Sequence, residues 1–143
     1  PEQRLQMMEQ AVEDVAWLTV DDCEIRRGGI SYTWETVSDL EKKYNFSDKP
    51  GLVIADDLIN GFHKWKYHDR LIKETEIIIA RRLYKEKLSV AFPHHYMENT
   101  ILPISSSDIR DRIREKRAYR FLLPETVYSY IISNDLYIGP SDL

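Results

Sequence analysis

Two short unbroken apolar runs constrain this chain more than any other feature. They are Leu52-Val53-Ile54-Ala55 and Ile77-Ile78-Ile79-Ala80. Each has the length of a strand and is rich in β-branched residues. Neither alternates polar with apolar positions, so each reads as a strand covered on both faces. Strands of that kind belong to parallel sheets, and a parallel pair needs a crossover. The chain between the runs supplies one: Asp56-Asp57, Gly61, the stretch Phe62-His63-Lys64-Trp65-Lys66-Tyr67, and a short helix expected over residues 69–73. The expected fold is α/β with a mainly parallel sheet.

The flanking segments fit that pattern. Leu5, Met8, Val12 and Val15 recur at helical spacing, which predicts an amphipathic helix over residues 4–16. Residues 17–20 read as a short strand. Thr33 is expected to cap a helix over residues 33–44 whose apolar side is Trp34, Val37, Leu40 and Tyr44. Residues 88–92 read as a third strand stopped by Pro93, and residues 101–104, interrupted by Pro103, as at most an edge strand. Ser105-Ser106-Ser107 caps a helix over residues 108–117. Pro124 opens a last helix with Val127, Tyr130 and Ile131 inward and Asn134 near its end.

With 143 residues the chain is expected to form a single domain, residues 1–143. A net charge of −4 gives no general attraction to nucleic acid or to an anionic membrane. No apolar stretch is long enough for a membrane span. The single cysteine, Cys23, excludes an intrachain disulfide and suits a cytoplasmic location.

Ligands of open parallel sheets gather at the carboxyl ends of the strands. The two apolar runs end in Asp56-Asp57 and Arg81-Arg82. Asp56 is placed to accept bonds from ligand hydroxyls or to help orient a bound metal, and Arg81 to hold a phosphate; a lone charged residue at such a place is more often simply an exposed loop charge. Ser105-Ser106-Ser107-Asp108-Ile109-Arg110 carries more information. Hydroxyls and free N–H groups at a helix start make an anion site, although a capped helix with Arg110 in a surface ion pair reads the same way. Trp65, set among His63, Lys64, Lys66, Tyr67 and His68, either stacks on a flat heteroaromatic ring or folds back on the core. His94-His95 lacks any second cluster at ligand spacing, so no metal site is expected. Asp21, Asp22 and Glu24 read as solvated loop charges, with Glu24 near Arg26 or Arg27.

Taken in order, these segments resemble the nicotinate-nucleotide adenylyltransferases of the nucleotidyltransferase superfamily. The matching stretches are Arg4-Leu5-Gln6-Met7-Met8 and Glu24-Ile25-Arg26-Arg27-Gly28-Gly29-Ile30-Ser31-Tyr32-Thr33. Leu52-Val53-Ile54-Ala55-Asp56 resembles a strand ending in GAD, and Lys64-Trp65 matches the family's tryptophan. Ile104-Ser105-Ser106-Ser107-Asp108-Ile109-Arg110-Asp111-Arg112-Ile113 is close to ISSTxIRxRI, and Leu122-Leu123-Pro124-Glu125-Thr126-Val127 resembles the family's ending. The resemblance implies a Rossmann-like fold whose first strand and helix are missing, the chain being the carboxy-terminal two-thirds of the domain. It implies transfer of the adenylyl group of ATP, with Mg²⁺, to nicotinate mononucleotide, giving deamido-NAD and pyrophosphate in NAD biosynthesis. By resemblance Ser31, Tyr32, Thr33 and Trp65 bind the acceptor, while Asp56, Arg81, Ser106, Ser107 and Arg110 serve ATP.

Three departures stand out. The glycine of GAD is Ile54, R-P-G after the second strand is Arg81-Arg82-Leu83, and no HxGH occurs in these residues. The resemblance places the family's histidines in an HxGH segment ahead of Pro1, so the catalytic residues are unassigned and these residues alone are expected to be inactive. A non-catalytic nucleotide-binding module, or an adenylyltransferase for nicotinamide mononucleotide or phosphopantetheine, stays open, as does a homo-oligomer.

Overall fold

The computed structural model describes residues 1–139. Its elements in chain order are α1 (Glu2–Val12), α2 (Cys23–Arg27), α3 (Thr33–Tyr44), β1 (Gly51–Ala55), α4 (Asp56–Ile59), a 3₁₀ turn (Phe62–Lys64), α5 (His68–Glu74), β2 (Glu76–Ala80), β3 (His95–Tyr96), α6 (Ser106–Arg114), a second 3₁₀ turn (Arg120–Leu122) and α7 (Glu125–Ser133). The chain divides into two compact units: Arg26–Pro103, and Pro1–Ile25 together with the stretch from Ile104 onward.

The unit Arg26–Pro103 holds a three-stranded sheet of order β1-β2-β3. Both pairings are parallel, with Gly51 opposite Glu76, Ala55 opposite Ala80, and Ile78 opposite His95. The crossover from β1 to β2 is α4, the first 3₁₀ turn and α5. Ile54, Ile59, Phe62, Leu71, Ile77 and Ile79 are buried together, and Trp34, Val37, Leu52, Trp65 and Phe92 pack against them half-buried. Burying an aliphatic or aromatic side chain of this size contributes about 1.5–3 kcal/mol, so this cluster carries the unit. At Gly51, at the start of β1, a Cβ would lie 2.9 Å from Ile78 Cδ1, so a side chain there would make the end of Ile78 turn aside.

The unit built on Pro1–Ile25 and the segment from Ile104 buries Ile109, Ile113, Val127, Ile131 and Leu136, with Met7 and Ala11 of α1 packed against them. Thr126 Oγ1 donates to the Gln10 carbonyl at 2.9 Å, and the Tyr130 hydroxyl donates to Gln6 Oε1. These bonds fasten α1 to α7.

Several expectations are corrected. Val53 is 59% exposed, so β1 is covered on one face among the described residues, not on both. As an edge strand it packs Leu52 and Ile54 inward and leaves Val53 outward. Residues 17–20 form no strand; Val15 and Leu18 make tight turns on Val12 and Val15, and Trp17 is 82% exposed. The third strand lies after Pro93, at His95–Tyr96, and not over residues 88–92. There Leu88 N donates to the Tyr96 hydroxyl at 2.9 Å, while Leu88, Val90 and Phe92 reach the core without a ladder. Residues 101–104 are not a strand, α1 stops at Val12, and α2 occupies what reads as loop. Tyr32, not Thr33, caps α3, and Pro124 sits at the cap of α7. No helix of the described residues is long and apolar enough to cross a membrane.

Leu71 and Ile79 are both 0% exposed, so either change to Ala is expected to cost about 2–5 kcal/mol in urea unfolding. Val53→Ala, on the open face, should cost under about 1 kcal/mol. Equal losses at positions 53 and 79 would show that the open face of β1 is buried in solution.

Candidate active site

Parallel pairing brings the carboxyl ends of β1 and β2 side by side, with Ala55 opposite Ala80. The next residue after β1 is Asp56, which is 1% exposed. Its Oδ1 accepts from the N–H of Arg82 at 3.1 Å and of Leu83 at 2.9 Å, and its Oδ2 from that of Tyr84 at 3.1 Å. Burial works to raise the carboxyl pKa. The N–H groups of Leu83, Tyr84, Arg82 and Asp57 outweigh that and hold it below the usual carboxylate value. Asp56 is thus no exposed loop charge; it is the receptor for the loop that leaves β2.

The other side of that loop is held by Asn99. Its Oδ1 accepts from Arg81 N at 2.8 Å, and its Nδ2 donates to the Arg81 carbonyl at 2.8 Å. The Arg81 guanidinium turns back to the Lys85 carbonyl, whereas that of Arg82 reaches Asp57 at 3.2 Å. Nothing in the sequence singled out Asn99, because a side-chain amide that imitates a strand partner leaves no periodic trace.

In the same unit Tyr32 stands at the start of α3 and Trp65 at the end of the first 3₁₀ turn. Tyr32 is extended, with φ −110° and ψ 136°, and precedes the first turn of α3, where Thr33 stands. Its ring carries Lys66 Nζ 3.9 Å from the centroid. Lys66 also donates to Glu35 Oε1 at 3.3 Å; desolvation opposes its charge, but that bond and the nearby Glu35 raise its pKa. Trp65 is half-buried, with its ring centroid 5.1 Å from that of Phe62. Tyr67 holds a left-handed backbone, φ 62° and ψ 31°, which costs a non-glycine residue about 1–2 kcal/mol. Its ring meets Trp34 edge-on at 5.2 Å, and the Arg70 guanidinium lies 4.7 Å from the Trp34 ring. Trp34 Nε1 donates to Glu74 Oε2 at 2.7 Å. Sequence periodicity marks Trp34 as a core residue only; this polar handle was not legible in it.

Ser106, Ser107 and Arg110 lie together at the start of α6. Ser105 Oγ accepts from Asp108 N at 3.1 Å and so is the cap. The N–H groups of the first turn have no partners within a helix, and Ser105 supplies one for Asp108 only. The exposed Ser106 and Ser107 follow it directly, and Arg110 Nη2 donates to Ser107 Oγ at 3.1 Å. Hydroxyl, guanidinium and helix start are therefore presented together, as an anion would require.

Of the remaining candidates, Asp21 Oδ1 accepts from Cys23 N at 2.9 Å, and Arg27 pairs with Asp39 at 2.7 Å. His94 lies against Phe92 and Tyr96 and bonds the Phe92 carbonyl at 2.8 Å, while His95 is exposed. Among the described residues no group of three or more His, Cys, Asp or Glu could hold a metal ion.

One unit thus presents a parallel sheet with an ordered loop at its strand ends, and the other a capped serine–arginine helix start. A cytidylyltransferase-like family model matches residues 1–112. A solved Plasmodium falciparum nicotinic acid mononucleotide adenylyltransferase, complexed with APC, shares the fold: TM-score 0.73 at 17% identity, covering 95% of this chain and 75% of that one. Probable nicotinate-nucleotide adenylyltransferases of Borrelia garinii subsp. bavariensis and Borreliella burgdorferi are each 43% identical over 135 residues. These cover 94% of this chain and 68% and 69% of theirs. One of Streptococcus pyogenes is 36% identical over 134 residues, covering 94% of this chain and 63% of its own. The chain belongs to the nicotinate-nucleotide adenylyltransferase family.

The lowered pKa of Asp56 has a definite sign. Its ionised form stabilises the fold at every pH above the unfolded value, and that share is lost as pH falls through the lower folded value. Asp56→Asn is therefore expected to destabilise by about 1–3 kcal/mol at neutral pH. The gap between variant and parent should narrow in denaturant titrations carried down through the acid range. A gap that stays constant to the lowest pH at which the parent folds would contradict the ionised clamp.

Proposed function

We propose that this protein transfers the adenylyl group of ATP to nicotinate mononucleotide, forming deamido-NAD and releasing pyrophosphate. Family membership carries this reading, at 43% identity over 94% of the chain. A phosphate oxygen of the acceptor attacks the α-phosphorus of ATP, a new P–O bond forms, and the bond to the bridging oxygen of pyrophosphate breaks. No covalent intermediate with the protein is needed, so the protein's contribution is positioning and charge stabilisation.

The residues fall into two groups. Ser106, Ser107 and Arg110 hold ATP phosphates: the first turn of α6 offers N–H groups and hydroxyls, and Arg110 adds a charge already aligned by Ser107. Arg81 and the loop held by Asp56 serve the nucleoside part of ATP at the strand ends. Ser31, Tyr32 and Thr33, at the entry to α3, and Trp65 beside Phe62 bind the acceptor. There the partial positive charge of the α3 start favours a carboxylate over a neutral amide. Mg²⁺ enters as part of the substrate, as its complex with ATP. Acting on small soluble nucleotides, the enzyme is expected in the cytoplasm.

Pyrophosphate release should be fastest with nicotinate mononucleotide and at least about ten-fold slower with nicotinamide mononucleotide or phosphopantetheine, a difference of about 1.4 kcal/mol. Binding of ATP by the native full-length protein, without release from any acceptor, would favour a non-catalytic nucleotide-binding module instead. Arg110→Ala is expected to weaken ATP binding by about ten-fold or more while sparing the acceptor. Trp65→Ala should do the reverse, and a variant with unchanged acceptor affinity would remove Trp65 from that site.

A further inference from the structure

Three segments of the unit Arg26–Pro103 meet on one carboxylate. Glu35 stands in the first turn of α3, where the helix dipole favours a negative side chain. Its two oxygens lie by two cations. Oε1 accepts from Lys66 Nζ at 3.3 Å, and Oε2 is 3.9 Å from Arg27 Nη1. Those cations flank residues already set apart as acceptor residues. Arg27 precedes Gly28 and Gly29, whose φ values of 67° and 68° cost glycine nothing, and the chain then runs through Ser31, Tyr32 and Thr33. Arg27 is itself anchored 2.7 Å from Asp39, one turn along α3 from Glu35. Lys66 follows Trp65 directly, and its ammonium also covers the Tyr32 ring, 3.9 Å from the centroid. Tyr32 and the residue beside Trp65 are thus joined through a single ammonium, which Glu35 holds.

We propose that Glu35 and Lys66 form a positioning pair that fixes the Tyr32 segment against the turn bearing Trp65, and so sets the spacing between the two parts of the acceptor site. The inference rests on the reading that Ser31, Tyr32, Thr33 and Trp65 bind the acceptor. Charge separates positioning from direct contact. Nicotinate mononucleotide is an anion, with a carboxylate and a phosphate. A neighbouring carboxylate repels it, so by charge alone the loss of Glu35 strengthens binding. If Glu35 works by holding Lys66 over Tyr32, its loss weakens binding. The two accounts differ in sign. Lys66 is separated in the same way. A lysine that itself held the acceptor would hold it better once released from Glu35, whereas a lysine that serves as the bridge fails with either partner. The side chains of Lys66 and Glu35 are 40% and 29% exposed, and a pair so open to water adds little to global stability. Its effect is local, in how two short segments meet.

The experiment measures steady-state pyrophosphate release by the native full-length protein, with nicotinate mononucleotide and ATP varied separately. The variants are Glu35→Gln, Lys66→Met, the two combined, and Lys66→Arg. Gln keeps the volume of Glu35 and loses its charge; Met keeps most of the Lys66 stem and loses the ammonium. Each single change is expected to raise the acceptor KM by about three- to ten-fold while the ATP KM stays within about two-fold of the parent's. The combined variant should be about as impaired as the poorer single one, as for two residues acting through one contact. Lys66→Arg can meet both the Glu35 carboxylate and the Tyr32 ring, so it should stay within about two-fold of the parent. Melting midpoints should move by less than about 3 °C, which sets a change confined to one substrate apart from general loosening. An acceptor KM that falls or stays level in Glu35→Gln overturns the proposal. So does a combined loss equal to the product of the single losses, which means that Lys66 touches the acceptor on its own account. Equal rises in both KM values overturn it as well. If Glu35→Gln does not fold, Lys66→Met and Lys66→Arg decide by the contrast between the two substrates and by the rescue. A parent that releases no pyrophosphate with nicotinate mononucleotide removes the functional reading and this inference with it; an active parent with unaffected variants removes the inference alone.

Discussion

Everything in the unit Arg26–Pro103 follows from the register that sets Ala55 opposite Ala80. A parallel pair cannot be closed by a hairpin, so residues 56–75 must return from one end of the sheet to the other. They do so as short helices whose apolar residues, Ile59, Phe62 and Leu71, complete the cluster begun by Ile54, Ile77 and Ile79. The same register ends both strands at one level. The first residue after β1 then faces the first residues after β2, close enough for one carboxylate to bind three of their amides. Core and site geometry thus have one cause.

What the sequence shows of this follows how local each signal is. The apolar runs of β1 and β2 and the serine cap of α6 are written in a few adjacent residues, and the structure has them within a residue or two of their expected places. Residues 88–92 mislead because Leu88, Val90 and Phe92 alternate inward as strand residues do. Yet their burial needs no ladder, and Pro93 lets pairing resume only at His95. Residues 17–20 have strand composition but, among the described residues, no strand to pair with. Composition proposes a strand; only a partner makes one. The clamp is the extreme case, since Asp56 and Asn99 lie 26 to 28 and 18 residues from the amides they hold. Adenylyl transfer itself came from ordered motifs and from relatives, not from any single residue's chemistry.

The aromatic and charged group around the start of α3 shows how local strain is offset. Tyr67 bears an unfavourable left-handed backbone. That conformation caps α5 and places its ring against Trp34, with Lys66 and Arg70 at 5.0 and 5.7 Å from its centroid. Cation–aromatic contacts of this kind contribute about 0.5–1 kcal/mol each at exposed sites, so several together match the strain. Lys66, shared between Tyr32, Tyr67 and Glu35, links the entry of α3 to the residue beside Trp65. The proposed acceptor residues are therefore held by one another's neighbours.

Two of the three departures from the family pattern have a physical counterpart, one in the core and one in the clamp. Where the resemblance has glycine, Ile54 is 2% exposed among the core residues, so its side chain is directed into the cluster and away from the open face that bears Val53. A glycine there would leave a cavity in this core worth several kcal/mol. Where the resemblance has proline, Arg82 stands, and its N–H is one of the three that Asp56 accepts. Proline has no N–H and no guanidinium, so it would remove both that bond and the pairing with Asp57. A loop of the R-P-G kind is stiffened by its own covalent ring, whereas Arg81-Arg82-Leu83 has no such restraint and depends on hydrogen bonds from outside. The buried carboxylate of Asp56 and the amide of Asn99 supply them, and the rigidity that one version of the sequence places in the backbone is here placed in two side chains.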